Sequence, residues 1–281
     1  ANLSIINSIS DIFSFNGEEI KNDFKRMFSG DDFEWKGDVK NLEEIKNSNV
    51  KIGNGAIYIE NGAKLNNCIL NTTNGPIFIG KDSEIMEGSM IRGPFAICNN
   101  SVIKMGAKIY ENTTVGPFCK VGGEINNVVF FGYSSKAHDG FLGNSIIGEW
   151  CNLGADTNNS NLKNNYDNVK IWNYFSESFK QTGLQFCGLI MGDHSKCGIN
   201  TMFNTGTVVG VGANIFGSGF PRNFIPSFSW GGSSGLIVHR IDKFFKTAEL
   251  VLARRNETLS DDDIEILSHV YSMTKSYRNE K

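Results

Sequence analysis

A bulky apolar residue recurs at every sixth position from Ile79 to Val121, through Ile85, Ile91, Ile97, Ile103, Ile109 and Val115. Four positions after most of them stands a small residue: Ser83, Ser89, Ser101, Ala107, Thr113 and Cys119. A helix repeats about every 3.6 residues and a strand every two, so neither yields this spacing. A coil whose sides are single hexapeptides does yield it. Three hexapeptides make one triangular turn of a parallel β-helix. Each bulky residue points inward and stacks on its counterpart in the next coil, and each small residue lets the chain round a corner.

The period also marks out the rest of the chain. An amphipathic helix is predicted at about Gly17 to Phe28, with Ile20, Phe24 and Met27 on one face, followed by a charged linker. The repeat starts raggedly near residue 50 and slips after Val121, in Gly122-Gly123-Glu124-Ile125-Asn126-Asn127. Its expected resumption is Val129, Ser135, Phe141, Ile147, Leu153. An excursion rich in Asn and aromatics runs from about 156 to 185, and the lattice returns at Met191, Cys197, Phe203, Val209 and Ile215. Helical spacing then appears twice, in Ile241–Leu252 and Ile264–Tyr271, the second behind a Ser260-Asp261 start signal. The expectation is an all-β solenoid with a short N-terminal helix and two C-terminal helices that cap the last coil. Its parts are residues 1–49 (helix and linker), 50–235 (β-helix) and 236–281 (helical cap).

Bulk properties narrow the function classes. The 27 Lys+Arg and 30 Asp+Glu leave a net charge of -3, with no basic excess for nucleic acid. No apolar run reaches the roughly 20 residues that span a membrane, and no secretory signal opens the chain. Six cysteines without a Cys-x-x-Cys pair read as reduced core residues. The expectation is a cytoplasmic protein with no nucleic-acid or membrane partner. Four histidines with no close pair do not make a three-histidine zinc site, so no structural metal is expected. Phosphate-loop and nucleophile-elbow motifs are also missing.

His138 follows the slip, in Ser135-Lys136-Ala137-His138-Asp139-Gly140-Phe141-Leu142-Gly143. A solenoid side chain outside the inner column faces solvent or a neighbouring subunit. A neutral imidazole there can take a proton from an attacking amine or hydroxyl. The plainer alternative is a surface histidine bonded to nearby backbone. His194, in Gly192-Asp193-His194-Ser195-Lys196, reads as an outward polar residue on a coil face.

Ser135-Lys136-Ala137-His138, Phe141-Leu142-Gly143, Leu153-Gly154-Ala155-Asp156-Thr157 and Asn165-Tyr166-Asp167 resemble motifs of one family. It is the acetyltransferase half of the bifunctional enzyme that makes UDP-N-acetylglucosamine. Over nearly the whole chain, the wording is also similar to GlmU-family or putative sugar nucleotidyltransferases of Bacteroidetes-type genomes. The resemblance implies a left-handed β-helix, a homotrimer, acetyl-CoA as co-substrate and a sugar acceptor. It implies His138 as catalytic base, Asn165 as a contact to the acetyl group and sugar amine, and the Ala155 N–H as oxyanion donor. Arg92, Lys136, Phe141 and Tyr166 fall at substrate-binding positions. Ile199, Phe216, Gly217 and Lys196 fall on the coils that line the coenzyme cleft.

The chain departs from the family pattern in the sugar pocket. Phe141 stands where the family has tyrosine, and Asn126 falls at about the place of a phosphate-binding lysine. The expected function is transfer of an acyl group from acyl-CoA to the amine of a sugar phosphate or nucleotide-linked sugar. Two alternatives stay open. One is a non-catalytic module that trimerises a nucleotidyltransferase. The other is an O-acyltransferase of the lipid A type, on the similarity of Ala137-His138-Asp139 to that family's base segment.

Overall fold

The computed structural model describes residues 4–28 and 34–278, and the chain divides into two compact units, Ala1–Ile147 and Gly148–Lys281. Each unit is a parallel β-solenoid carrying helices.

In the first unit, strands of two to three residues pair in parallel with the strand one coil away. Partners lie eighteen residues apart where the period is intact, as Ile85 with Ile103 and Ile103 with Val121. Stacking removes the column from water: Ile79, Ile97, Ile103, Val115 and Val121 are fully buried. Each buried CH2 contributes about 0.8 kcal/mol, so a continuous column stabilises what a lone coil cannot. The small residues sit as expected, with Ser83, Ser89, Ser101, Ala107, Thr113 and Cys119 buried at the corners.

The register after Val121 differs from the expected one. Inward positions are Phe130, Lys136 and Leu142, each 1% exposed, whereas Val129, Ser135 and Phe141 are only half-buried. The cause is a shortened coil. Val115 pairs with Phe130 and Val121 with Lys136, fifteen residues on instead of eighteen. The chain turns tightly at Gly122-Gly123 and rounds the next corner through Asn127 alone, in the left-handed region at φ 55°. A slip of one residue exchanges inward and outward faces, so a lysine enters the apolar column.

The N-terminal helix α1 spans Asp11–Met27, starting six residues before the expected point. Phe13, Gly17, Ile20 and Phe24 face the solenoid, while Met27 is 57% exposed. The helix lies against the corner residues Asn112 and Asn127: the Asn16 amide donates to the Asn112 carbonyl at 2.7 Å. Within the expected linker, strand Trp35–Gly37 already pairs with Ile57–Ile59, and a second helix, α2, spans Leu42–Ser48.

The second unit continues the same pattern, with Leu153, Cys197 and Ile215 in one column and Met191, Val209 and Ile225 in another. The excursion is not a structureless loop. Asn158–Asn159 still pair with Met202–Phe203, and the departure folds into an antiparallel hairpin, Lys170–Asn173 with Ser178–Gln181. Trp172 and Tyr174 pack on Phe224, whereas Phe175 at the tip is 99% exposed. Helices α3 (Ile241–Ala253) and α4 (Asp261–Met273) close the unit over Phe228. The start signal of α4 is a capping box: the Ser260 hydroxyl accepts from the Asp263 N–H, and the Asp263 carboxylate accepts from the Ser260 N–H.

Candidate active site

The corner that carries His138 is wider than the one beneath it. Ala137-His138-Asp139-Gly140 joins two strands that Gly122-Gly123 alone join one coil earlier. The extra residues push His138 out, and its side chain is exposed. Gly123 has φ 79°, and a Cβ there would meet the Gly140 and His138 carbonyls at 2.7 and 2.9 Å and the Lys136 Nζ at 3.0 Å. Only a glycine lets the wide corner settle on the narrow one.

Lys136 does not reach outward for a phosphate, as the resemblance implied. Its stem fills the inner column, and its ammonium donates to the carbonyls of His138 at 2.5 Å and Asp139 at 3.0 Å. A buried ammonium needs acceptors, and the bulged corner supplies them. The lysine therefore sits under the histidine and ties down its backbone. The signal was present in the sequence as the Gly122-Gly123 pair, which marks the tight corner that changes the register. Arg92 is exposed and pairs with Glu111 at 3.6 Å, so its guanidinium is partly engaged before any ligand arrives. Phe141 stands one coil above Glu124, with its ring half-buried on an outward row.

The remaining implied residues belong to the second unit. Ala155 occupies a corner whose Asp156 is left-handed at φ 55°, closed by Thr157 N–H donating to the Gly154 carbonyl at 3.2 Å. The Ala155 carbonyl accepts from Asn200, whereas its N–H has no partner among the described residues. The structure stacks three of the implied positions. Gly154 lies on Gly198-Ile199 and Gly198 lies on Phe216, so the three corners stack, and the register runs Ala155, Ile199 and Gly217 in one ladder with Phe216 beside it over Gly198. Ile199 is 69% and Phe216 43% exposed, which leaves an apolar track along that edge. Gly217 follows at φ 102° with open space around it.

Asn165 and Tyr166 lie on an exposed turn away from any strand. The Asn165 amide donates to the Asp167 carboxylate at 2.6 Å, and Tyr166 is left-handed at φ 60° with 65% of its surface exposed. Lys196 is not free for a coenzyme phosphate. Its ammonium donates to the His194 carbonyl at 2.9 Å, and burial lowers its pKa.

His194 is not an outward residue either. Helices α3 and α4 cover it, leaving 8% exposed between Trp150, stacked at 6.3 Å, and Phe244, edge-on at 5.6 Å. Burial first, then the Lys196 charge, lower its pKa to about 4. His239 is also buried and its pKa lowered by burial, although its Nδ1 lies 2.9 Å from the Gly212 carbonyl. Periodicity could not reveal this pair, because the cover comes from helices far along the chain.

No protein-family model matches the sequence. Among solved structures, the polySia-specific acetyltransferase NeuO is 17% identical with a TM-score of 0.33, covering 73% of this chain and 86% of that one. A mutant of AntD, an N-acyltransferase from Bacillus cereus, is 13% identical with a TM-score of 0.28, covering 76% of this chain and 97% of that one. Scores this low carry no argument about this chain. Bifunctional protein GlmU of Methanococcus aeolicus is 28% identical over 158 residues, which are 55% of this chain and 33% of that protein. GlmU of Wigglesworthia glossinidia brevipalpis is 31% identical over 166 residues, 59% of this chain and 30% of that protein. GlmU of Methanocaldococcus jannaschii is 32% identical over 118 residues, 42% of this chain and 26% of that protein. The chain thus spans about a third of the length of the curated relatives it matches. Over these stretches the chain is similar to part of bifunctional protein GlmU.

Proposed function

We propose that this chain is an acyltransferase region of a sugar-nucleotide-forming protein, a left-handed β-helix that works as a homotrimer. It moves an acetyl group from acetyl-CoA to the amine of a sugar phosphate or nucleotide-linked sugar. The observation that carries this reading is the exposed His138 on a widened corner whose backbone the buried Lys136 holds. In the proposed reaction the amine nitrogen attacks the thioester carbonyl carbon, and His138 takes the amine proton. The negative charge on the carbonyl oxygen falls to the Ala155 N–H. The C–S bond then breaks, the imidazolium returns its proton to the sulfur, and the products are an amide and the free thiol.

The apolar track of Ile199 and Phe216, with open space at Gly217, suits the flexible arm of coenzyme A. Asn165 contacts the sugar in this reading once it exchanges Asp167 for the ligand. Outward Val50, Ile69 and Met90 form an exposed apolar row on the first unit, which supports self-association. The test is thiol release from acetyl-CoA with amino-sugar phosphates, comparing the wild type with His138→Ala. Removal of a general base costs about 10²–10⁴-fold; undiminished turnover in the variant removes His138 from the mechanism. Phe141, which offers no hydroxyl to a sugar, favours the second reading, a non-catalytic trimerising module. Calorimetry in which neither coenzyme A nor any sugar phosphate binds supports that module.

A further inference from the structure

The hairpin of the second unit flanks an open cleft that neither the repeat nor the His138 corner uses. Trp172 anchors the hairpin by stacking on Phe224, ring centroids 4.2 Å apart and planes within 11°. Phe179 meets the Trp172 edge at 5.4 Å and remains 43% exposed. Between the hairpin and the segment Arg222–Phe224 lies a cavity of about 720 Å³. That volume falls within the range of small-molecule sites, roughly 300–1,000 Å³.

Three cations line the cleft, Lys163, Lys170 and Arg222, and no carboxylate does. The chain as a whole is acidic, with a net charge of -3, so this cluster runs against the bulk composition. The Lys163 ammonium is oriented by the Asn168 carbonyl at 2.9 Å, which leaves two of its three donors. Lys170 and Arg222 are exposed and make no ion pair or side-chain hydrogen bond among the described residues. Converging cations in a recess with low-dielectric walls focus the field on an anion, and an arginine fork matches two phosphate oxygens.

The rest of the lining is apolar ring surface with two polar side chains that are partly engaged. The Thr205 hydroxyl donates to Ser160 Oγ at 2.8 Å, and the Asn223 amide donates to the Thr205 carbonyl at 2.9 Å. What these two groups still offer is acceptors and one Asn223 amide N–H, for the hydroxyl, N–H or carbonyl groups of a ligand. We infer that the cleft under the hairpin binds a phosphorylated ligand carrying an aromatic ring, the chemistry of a nucleoside diphosphate. Lys170, Arg222 and Lys163 hold the phosphates, and the ring lies against Phe179. The inference stands apart from the acyl-transfer reading, because its residues are separate and variants at those residues read the cleft alone.

The experiment is calorimetry on the whole chain with UDP, inorganic pyrophosphate and uridine as probes. UDP is expected to bind saturably, pyrophosphate more weakly, and uridine more weakly again. Each charged contact contributes about 1.5–3 kcal/mol, so Lys170→Ala/Arg222→Ala should weaken UDP by at least about 100-fold. Its melting temperature should stay at the wild-type value, since both side chains are exposed. Phe179→Ala should weaken UDP and leave pyrophosphate unchanged. Absence of UDP and pyrophosphate binding overturns the site, as does equal UDP affinity in the double variant. Pyrophosphate binding as tightly as UDP overturns the role given to the ring.

Discussion

Lys136→Met separates the support of the His138 corner from the packing of the coil. The lysine stem occupies the inner column one coil above Val121, and methionine fills about the same space. Its ammonium donates at 2.5 and 3.0 Å to the His138 and Asp139 carbonyls. Bonds from a charged donor contribute about 1.5–3 kcal/mol each, and the substitution removes both. Against this stands relief from burying a charge, which costs several kcal/mol for an ion held away from water. The two effects oppose each other, so global stability should change by no more than about 2 kcal/mol. The local effect has no such offset. Both carbonyls lose their inward partner and turn toward water, and residues 137–140 loosen. A displacement of about 1 Å in a reacting group can cost about 100-fold in rate. The expected result is kcat lowered about 10- to 100-fold, with KM changed far less, because the substrate contacts are elsewhere. Amide hydrogen exchange should quicken at 137–140 and stay unchanged in the neighbouring coils. A methionine variant with wild-type kcat and wild-type exchange at this corner would refute the positioning role.

The other outcomes concern the two ends of the chain. His194, with a folded pKa of about 4, and His239, also lowered by burial, take up protons in the unfolded chain first. Stability is therefore complete above pH about 6.5 and falls as pH drops toward about 4, by at most about 1.4 kcal/mol per pH unit for each histidine. The Lys196 charge deepens the His194 shift and the Asp263 charge lessens it, while Asp263 itself, held low by its Ser260 hydrogen bonds, adds its own loss as pH falls through the carboxylate range. Denaturant midpoints at pH 7.5 and 5.5 read the slope, and His194→Asn, compatible with the left-handed backbone at φ 59°, should flatten it. Equal midpoints at the two pH values contradict the account. In α1, a Cβ on Gly17 would lie 1.9 Å from Asn112 Oδ1. Gly17→Ala should therefore lower the melting temperature, the overpacking cost of about 1–3 kcal/mol outweighing a helix-propensity gain of about 1 kcal/mol. A higher melting temperature would show that the Asn112 corner yields.

How far the site could be read from the sequence differs by residue. His138 was legible as an outward group because it lies off the hexapeptide lattice. Its support was not, since the expected register put Ser135 inside and left Lys136 free for a ligand. Ala155, Ile199 and Gly217 lie far apart in the chain, and coil stacking makes them one ladder. His194 looked outward on its coil, and only α3 and α4 bury it. The hairpin was visible as a break in the period, but the cleft needs Arg222–Phe224, some fifty residues beyond Trp172.

The sequence by itself determined the coil, because a six-residue spacing of bulky residues has one economical burial, inward and stacked. It also determined where that coil fails. The tertiary structure alone decided what the failures produce. Spacing cannot tell how many residues a corner consumes, and Asn127 rounds its corner with one residue fewer than the repeat predicts. In extended chain a single residue exchanges inside for outside. That exchange put the charge of Lys136 beneath His138 instead of in solvent.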